Sequence, residues 1–186
     1  MNYPKAYVDY LVYFHAARDY FECHEVMEEY WKEHPDDPLK EVWHVCIQLA
    51  VTAYHERRGN FAGALKMLKQ ARSRMRATGM PLLLNKAGLD AERLNSMTEH
   101  WQCKLETASS EGLQEQNESR FADPVLPIVD QSLLQASRAE AERRGLMWLA
   151  PSRMDEASLI HKHKLRDRSD VMKARQEAWL RKRTSD

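Results

Sequence analysis

Apolar residues recur every three or four positions through most of the chain, and no stretch of useful length alternates apolar with polar. The sequence therefore predicts helices packed on one another rather than a sheet. A first helix is expected over about 5–33, ended by the HPDDP stretch at 34–38, whose prolines and aspartates break it. A second, about 39–58, stops at Gly59. Asn60 then caps a third over 61–78, which ends at Gly79 and Pro81. A fourth runs over about 89–107, with Asp90 as cap and Leu94, Met97, Trp101 and Leu105 at helical spacing. Short connections between amphipathic helices make antiparallel neighbours.

Beyond this point the pattern changes. The polar, then proline-bearing ETASSEGLQEQNESRFADPVLP reads as a linker, and a helix over about 130–144 follows, ended by Gly145. A WLAPS loop leads into a basic helical tail from about 155, in which Ser169 is a candidate cap for DVMKARQEAWLRKR. The expected organisation is all-α: an antiparallel helical bundle over 1–107, a linker over 108–128 and a helical C-terminal extension over 129–186.

Composition narrows the class. With 186 residues, 43% apolar, 30% charged and a formal net charge of zero, the chain reads as a charge-rich globular protein with no overall bias toward nucleic acid or anionic membrane. The longest convincing apolar run, IQLAVTA, is far too short for a bilayer, so no membrane partner is expected. No signal peptide is visible. Cys23, Cys46 and Cys103 are odd in number and widely spaced, which suits reduced thiols in a cytoplasm. The charge is nonetheless uneven. Residues 19–41 are acidic and the end of the chain is basic.

Two helical faces carry the candidate chemistry. At 100° per residue, Leu11, Phe14, Ala17, Phe21, His24, Glu28 and Trp31 share one stripe of the first helix, with Glu25 and Arg18 at its edge and Glu22 toward the rim. The apolar members predict that this stripe faces the core. On the second helix Glu41, His44, Gln48, Val51, Thr52, His55 and Arg58 share one side. If the two strips face each other, His24, Glu25, Glu28, Gln48 and His55 form one buried cluster, walled by Phe21 and Trp31. A buried carboxylate without partners costs several kcal/mol. Such a cluster persists because it is fully hydrogen-bonded or because it is used.

The stretches FHAARDYFECHEVMEEYW and VCIQLAVTAYHERRGNFAGALKML resemble the bacterial and archaeal family called domain of unknown function 309. Its members carry YFExHExxExxW and IQLA…YHxxRGNxxGA segments, and the resemblance covers roughly residues 10–105. The family's signature positions fall on Glu22, His24, Glu25, Glu28, Trp31, Gln48, His55, Arg58, Gly59, Asn60 and Gly63. The resemblance implies an all-helical bundle and no established activity. PVLPIVDQSL and LIHKHKLRDRSDV are similar to longer members from Gram-positive bacteria of the Bacillus type. Cys23 departs from the commoner small residue.

Three function classes follow. In the first, the chain is a helical binding module for a protein partner, a ligand or a second copy, and the His/Glu/Gln cluster holds two helices in register. In the second, His24, Glu28 and His55 ligate a divalent metal and Glu25 serves as general base of a hydrolase. The spacing argues against it: a zincin needs histidines at i and i+4, and here the second position is Glu28. A metal-free acid/base pair lacks any accompanying nucleophile or phosphate loop. In the third, the basic tail 161–183 binds nucleic acid, but Asp167, Asp170 and Glu177 interrupt it and no recognition module is present. Trp31 reads first as core packing, Arg58-Gly59-Asn60 as a helix stop and restart, and Gly63-Ala64 as close helix approach. The binding module is the favoured reading.

Overall fold

The computed structural model describes residues 3–110 and 121–165; the expected tail helix, its Ser169 cap and the middle of the expected linker lie outside the described residues. The fold is all-α, as the periodicity requires. Among the described residues every regular element is helical, apart from an isolated antiparallel bridge between Leu89 and Ile128. The helices are α1 (Lys5–Val12), α2 (Tyr20–Glu33), α3 (Lys40–Arg57), α4 (Phe61–Met75), α5 (Met80–Lys86), α6 (Ala91–Ser110) and α7 (Gln131–Arg143). Two single turns follow, α8 (Ala157–Ile160) and α9 (Lys162–Leu165). None of these helices is long and apolar enough to cross a membrane.

The expected first helix is two helices. A π-helical turn, Tyr13–Ala17, follows α1, and Arg18 then adopts the left-handed conformation at φ 55°. The Asp19 N–H closes on Tyr13 O at 3.0 Å, a helix stop of the kind usually built on glycine. A side chain in this conformation costs on the order of 1 kcal/mol. Arg18 offsets it by donating to the carbonyls of Phe14 (3.0 Å), Pro124 (3.1 Å) and Ala150 (2.8 Å). Asp19 restarts the chain, its carboxylate accepting from the Glu22 N–H at 3.1 Å. The break resets the helical phase. α1 buries Tyr7, Tyr10, Leu11 and Val12, whereas α2 buries Tyr20, Cys23 and Met27.

α3 is the central element, packed between α2 and α4, while α4 also packs on α6, and α1 on α2 and α7. Trp43 is fully buried against the Tyr7 ring at 4.8 Å, and its indole N–H donates to Asp37 at 3.0 Å. The buried Glu56 accepts from Trp101 at 2.6 Å and pairs with Lys104 at 2.7 Å, which ties α3 to α6. The third helix ends at Met75, short of the expected position. Gly79 and Pro81 do not end it but open α5, with proline in the first turn where its missing N–H is harmless.

Residues 126–133 are bound to the bundle. Val129 N–H donates to Gly88 O at 2.9 Å, Asp90 N–H to Pro127 O at 2.8 Å, and Leu126 and Leu133 join the main core. His15 sits under it. Its Nε2 accepts from the Leu126 N–H at 3.0 Å, Nδ1 contacts Leu11 O at 3.0 Å, and the ring stacks on Trp148 at 4.9 Å. With Nε2 an acceptor, the ring is the neutral tautomer carrying its proton on Nδ1.

Two predictions follow from this packing. Gly88 has φ +79°, and a Cβ there would lie 2.9 Å from Leu133 and 3.0 Å from Asp130. Gly88→Ala should cost about 2–4 kcal/mol through strain and overlap, read as a lowered Tm in calorimetry. Burial holds His15 down at about 3, against 6.5 in the unfolded chain. Between those values the unfolded state binds more protons, so this contribution is complete above pH 6.5 and is lost as pH falls toward 3. His15→Asn should show a shallower fall of stability across that window than the parent chain; parallel curves would show that His15 is not buried neutral.

Candidate functional site

α2 and α3 run antiparallel. The Trp31 ring lies 4.9 Å from His44 and the Phe21 ring 5.8 Å from Tyr54. Both pairs fit one register, which sets His24 and Glu28 opposite the Ile47–Val51 stretch of α3. α2 and α3 are therefore neighbours, as the expected cluster requires, but the α2 strip is not buried. Because α2 restarts at Asp19, its buried line runs through Tyr20, Cys23 and Met27, and Phe21, His24, Glu28 and Trp31 lie beside that line, half exposed.

His24 is the hinge of the α2 strip. Its Nδ1 lies 3.1 Å from Glu25 Oε1 and its Nε2 3.5 Å from Glu28 Oε2, with 26%, 31% and 35% of the three side chains exposed. Glu28 also pairs with Lys32 at 3.1 Å. His24, Glu25 and Glu28 can each bring one ligand atom within 4.8 Å of the others. His55, expected as the third ligand, does not join that group. His24 thus offers its two ring nitrogens to two different carboxylates. A metal takes one ring nitrogen, and the carboxylates must then swing to one side.

The α3 strip divides in two. Burial lowers the pKa of His44, Arg74 lowers it further, and Glu41 and Glu28 oppose the shift. Gln48 is buried, donates to Gln70 Oε1 at 3.3 Å on α4, and leaves its own Oε1 without a partner among the described residues. His55 belongs to the helix end. Its Nδ1 accepts from Asn60 Nδ2 at 2.9 Å and Arg58 Nη2 at 3.2 Å, and burial and the Arg58 charge together lower its pKa. Asn60 caps α4 as expected, accepting from the Gly63 N–H at 3.0 Å, and Gly59 takes φ 74°. Gly63 has a local reason: a Cβ there would lie 2.6 Å from Asn60 Nδ2, so it makes room for the cap rather than for a neighbouring helix.

Arg58 stacks over the Tyr54 ring at 5.0 Å and rests its Nη1 on the ring of His163. Glu22, placed toward the rim, pairs with Lys162 at 2.7 Å, and Lys162 also reaches Asp19 at 2.6 Å. Burial alone would lower the Lys162 pKa, but its bonds to the two carboxylates outweigh it and hold the pKa above the usual value. Sequence reasoning missed Asp19, Tyr54, Lys162 and His163 as members of this surface. Only Asp19 left a signal, as a capping residue three positions before a glutamate.

The half-exposed α2 cluster carries little of the fold, since ion pairs of this kind contribute ~0–1 kcal/mol. His24→Ala and Glu28→Gln should therefore change unfolding free energy in urea by less than about 1 kcal/mol. A loss of about 3–5 kcal/mol would identify a buried pair instead.

A model of the family described as domain of unknown function 309 matches residues 7–67. The chain is 41% identical over 183 residues to the uncharacterised protein YpuF of Bacillus subtilis (strain 168), covering 98% of this chain and 98% of that one. The similarity thus extends through the C-terminal segment that the family model leaves out. No solved structure matches the chain.

Proposed function

The chain belongs to the domain of unknown function 309 family, and we propose that it is a helical binding module whose recognition surface is the polar strip shared by α2 and α3. The observation that carries this reading is the half exposure of His24, Glu25 and Glu28 beside the rings of Phe21 and Trp31. A network kept for stability is buried, where pairing matters; this one lies where its charges are worth least to the fold. Charged groups flanked by part-exposed aromatic rings suit a polar chain segment of a partner, with the rings supplying apolar contact. Free Cys23 and Cys46, both buried, and the free, exposed Cys103 support a cytoplasmic setting for the module.

A second reading is favoured by one distance. His24, Glu25 and Glu28 supply one nitrogen and two oxygens within 4.8 Å, a set that suits zinc or manganese with water completing the shell. A hydrolase built on His24, Glu28 and His55, with Glu25 as base, has less support because Arg58 and Asn60 hold His55 Nδ1. The nucleic-acid reading of residues 161–183 gains no support either, since Lys162 is paired with Asp19 and Glu22.

Elemental mass spectrometry on untagged protein purified without chelator separates the first two. The module reading predicts metal far below one ion per chain, unchanged in His24→Ala. Stoichiometric metal lost in both His24→Ala and Glu28→Gln would replace it with a metal-dependent function.

A further inference from the structure

The chain carries a segment seated on its own candidate surface. Leu159 and Ile160 are buried, and the Leu159 carbonyl accepts from the guanidinium of Arg57 at 3.2 Å. From this anchor the Lys162 ammonium reaches the start of α2, 2.6 Å from Asp19 Oδ2 and 2.7 Å from Glu22 Oε1. His163 donates its backbone N–H to the Tyr54 hydroxyl at 3.1 Å, and that oxygen lies 2.6 Å from His163 Nδ1. The His163 ring stands edge-on to Tyr54 at 5.5 Å, and Arg58 Nη1 lies 2.6 Å from its Nε2. The contacts comprise an ammonium between two carboxylates, a main-chain N–H on a phenol, and a ring packed on a ring and a guanidinium. Each is a contact that a bound peptide makes.

We propose that Asp19, Glu22, Tyr54 and Arg58 form a receptor for a short lysine-bearing chain segment, and that Lys162–His163 occupies it in cis as a latch. The proposal rests on the module reading and names the chemistry of the partner: a basic segment that offers an ammonium and, one residue on, a free main-chain N–H. The latch is reversible on energetic grounds. With Leu159 and Ile160 still seated, only Lys162 and His163 need to lift, and the part-exposed Lys162–Glu22 pair contributes ~0.2–1 kcal/mol. Being tethered, it competes at an effective concentration of order mM. A segment in trans therefore binds weakly while the latch is closed and much more tightly once it is released. The acidic bias of residues 19–41 favours a basic partner at this end, and the phenol of Tyr54 fixes its direction.

The test uses a fluorescent peptide copying residues 157–163, ASLIHKH, added to the full chain and followed by anisotropy. Leu159→Asp/Lys162→Glu releases the latch in the full chain; circular dichroism and hydrogen exchange of α2–α4 establish that the bundle remains folded. The released chain should bind the peptide roughly tenfold or more tightly than the parent. That gain should vanish when Glu22→Gln is added, or when the peptide lysine is replaced by glutamine. A folded, released chain that binds no better than the parent overturns the proposal, as does binding indifferent to Glu22→Gln and to the peptide lysine. Where the double variant unfolds, Lys162→Glu alone is the second variant. It should speed exchange of the His161–His163 amides while leaving α2–α4 unchanged, and unaltered exchange would overturn the latch. Metal content and the stability of His24→Ala report on the His24 cluster alone, so either idea can fail without the other.

Discussion

The guanidinium of Arg57, at the last turn of α3, is the constraint on which the arrangement depends. It is 2% exposed and has no carboxylate within ion-pair distance among the described residues. Its hydrogen-bond acceptors are the carbonyl of Arg18 at 2.5 Å, the carbonyl of Leu159 at 3.2 Å and the hydroxyl of Ser152 at 3.3 Å, and it lies over the Tyr20 ring at 4.8 Å. Burial lowers its pKa; Tyr20, Asp19 and Asp123 act against that shift. An arginine stays charged under such conditions, and a buried charge deprived of its partners costs about 3–5 kcal/mol. The carbonyls must therefore stay where they are. One of them belongs to the left-handed residue that separates α1 from α2, and the other to the segment that leads into Lys162 and His163. Arg57 thus joins the helix break, the end of the central helix and the C-terminal segment.

A second layer reinforces that junction. Asp123 accepts from the Tyr20 hydroxyl at 2.7 Å and from the Ser152 N–H at 2.8 Å, and it lies 3.8 Å from Arg18 Nε. Arg18, itself buried, spends its donors on carbonyls of the π turn and of two C-terminal positions. The energetic contrast with the α2 strip is large. The junction contains buried charges whose loss costs several kcal/mol, whereas His24, Glu25 and Glu28 are half exposed and contribute about 1 kcal/mol or less. The same two motifs therefore hold two kinds of residue, those that fix the surface and those that are presented on it.

Much of this was legible in the sequence, and the exceptions have physical reasons. Gly59, Gly145, Asp90 and Asn60 mark helix ends because φ > 0 and side-chain caps have few substitutes. The stop at Arg18 uses neither glycine nor proline, so FHAARDYF reads as continuous helix; its left-handed residue is held by carbonyls more than 100 positions away. The i, i+4 spacing of His24 and Glu28 correctly predicts their meeting. Their exposure was not legible, because carrying 100° per residue across the break assigns α2 the phase of α1. Gly79 and Pro81 stop one helix and start another equally well, so α5 was not distinguished from a loop. Arg57 and Arg58 are neighbours of identical chemistry, and only the packing around α3 buries one and leaves the other at the rim.

The central claim is that one buried guanidinium positions the C-terminal segment against the α2–α3 surface. Amide hydrogen exchange of the full chain, compared with Arg57→Met, tests it most directly. The account predicts that Tyr13–Asp19 and Leu149–His163 exchange faster together, while the middle turns of α3, α4 and α6 keep their protection. Unchanged exchange at Leu149–His163, or equal acceleration in every helix, would contradict it.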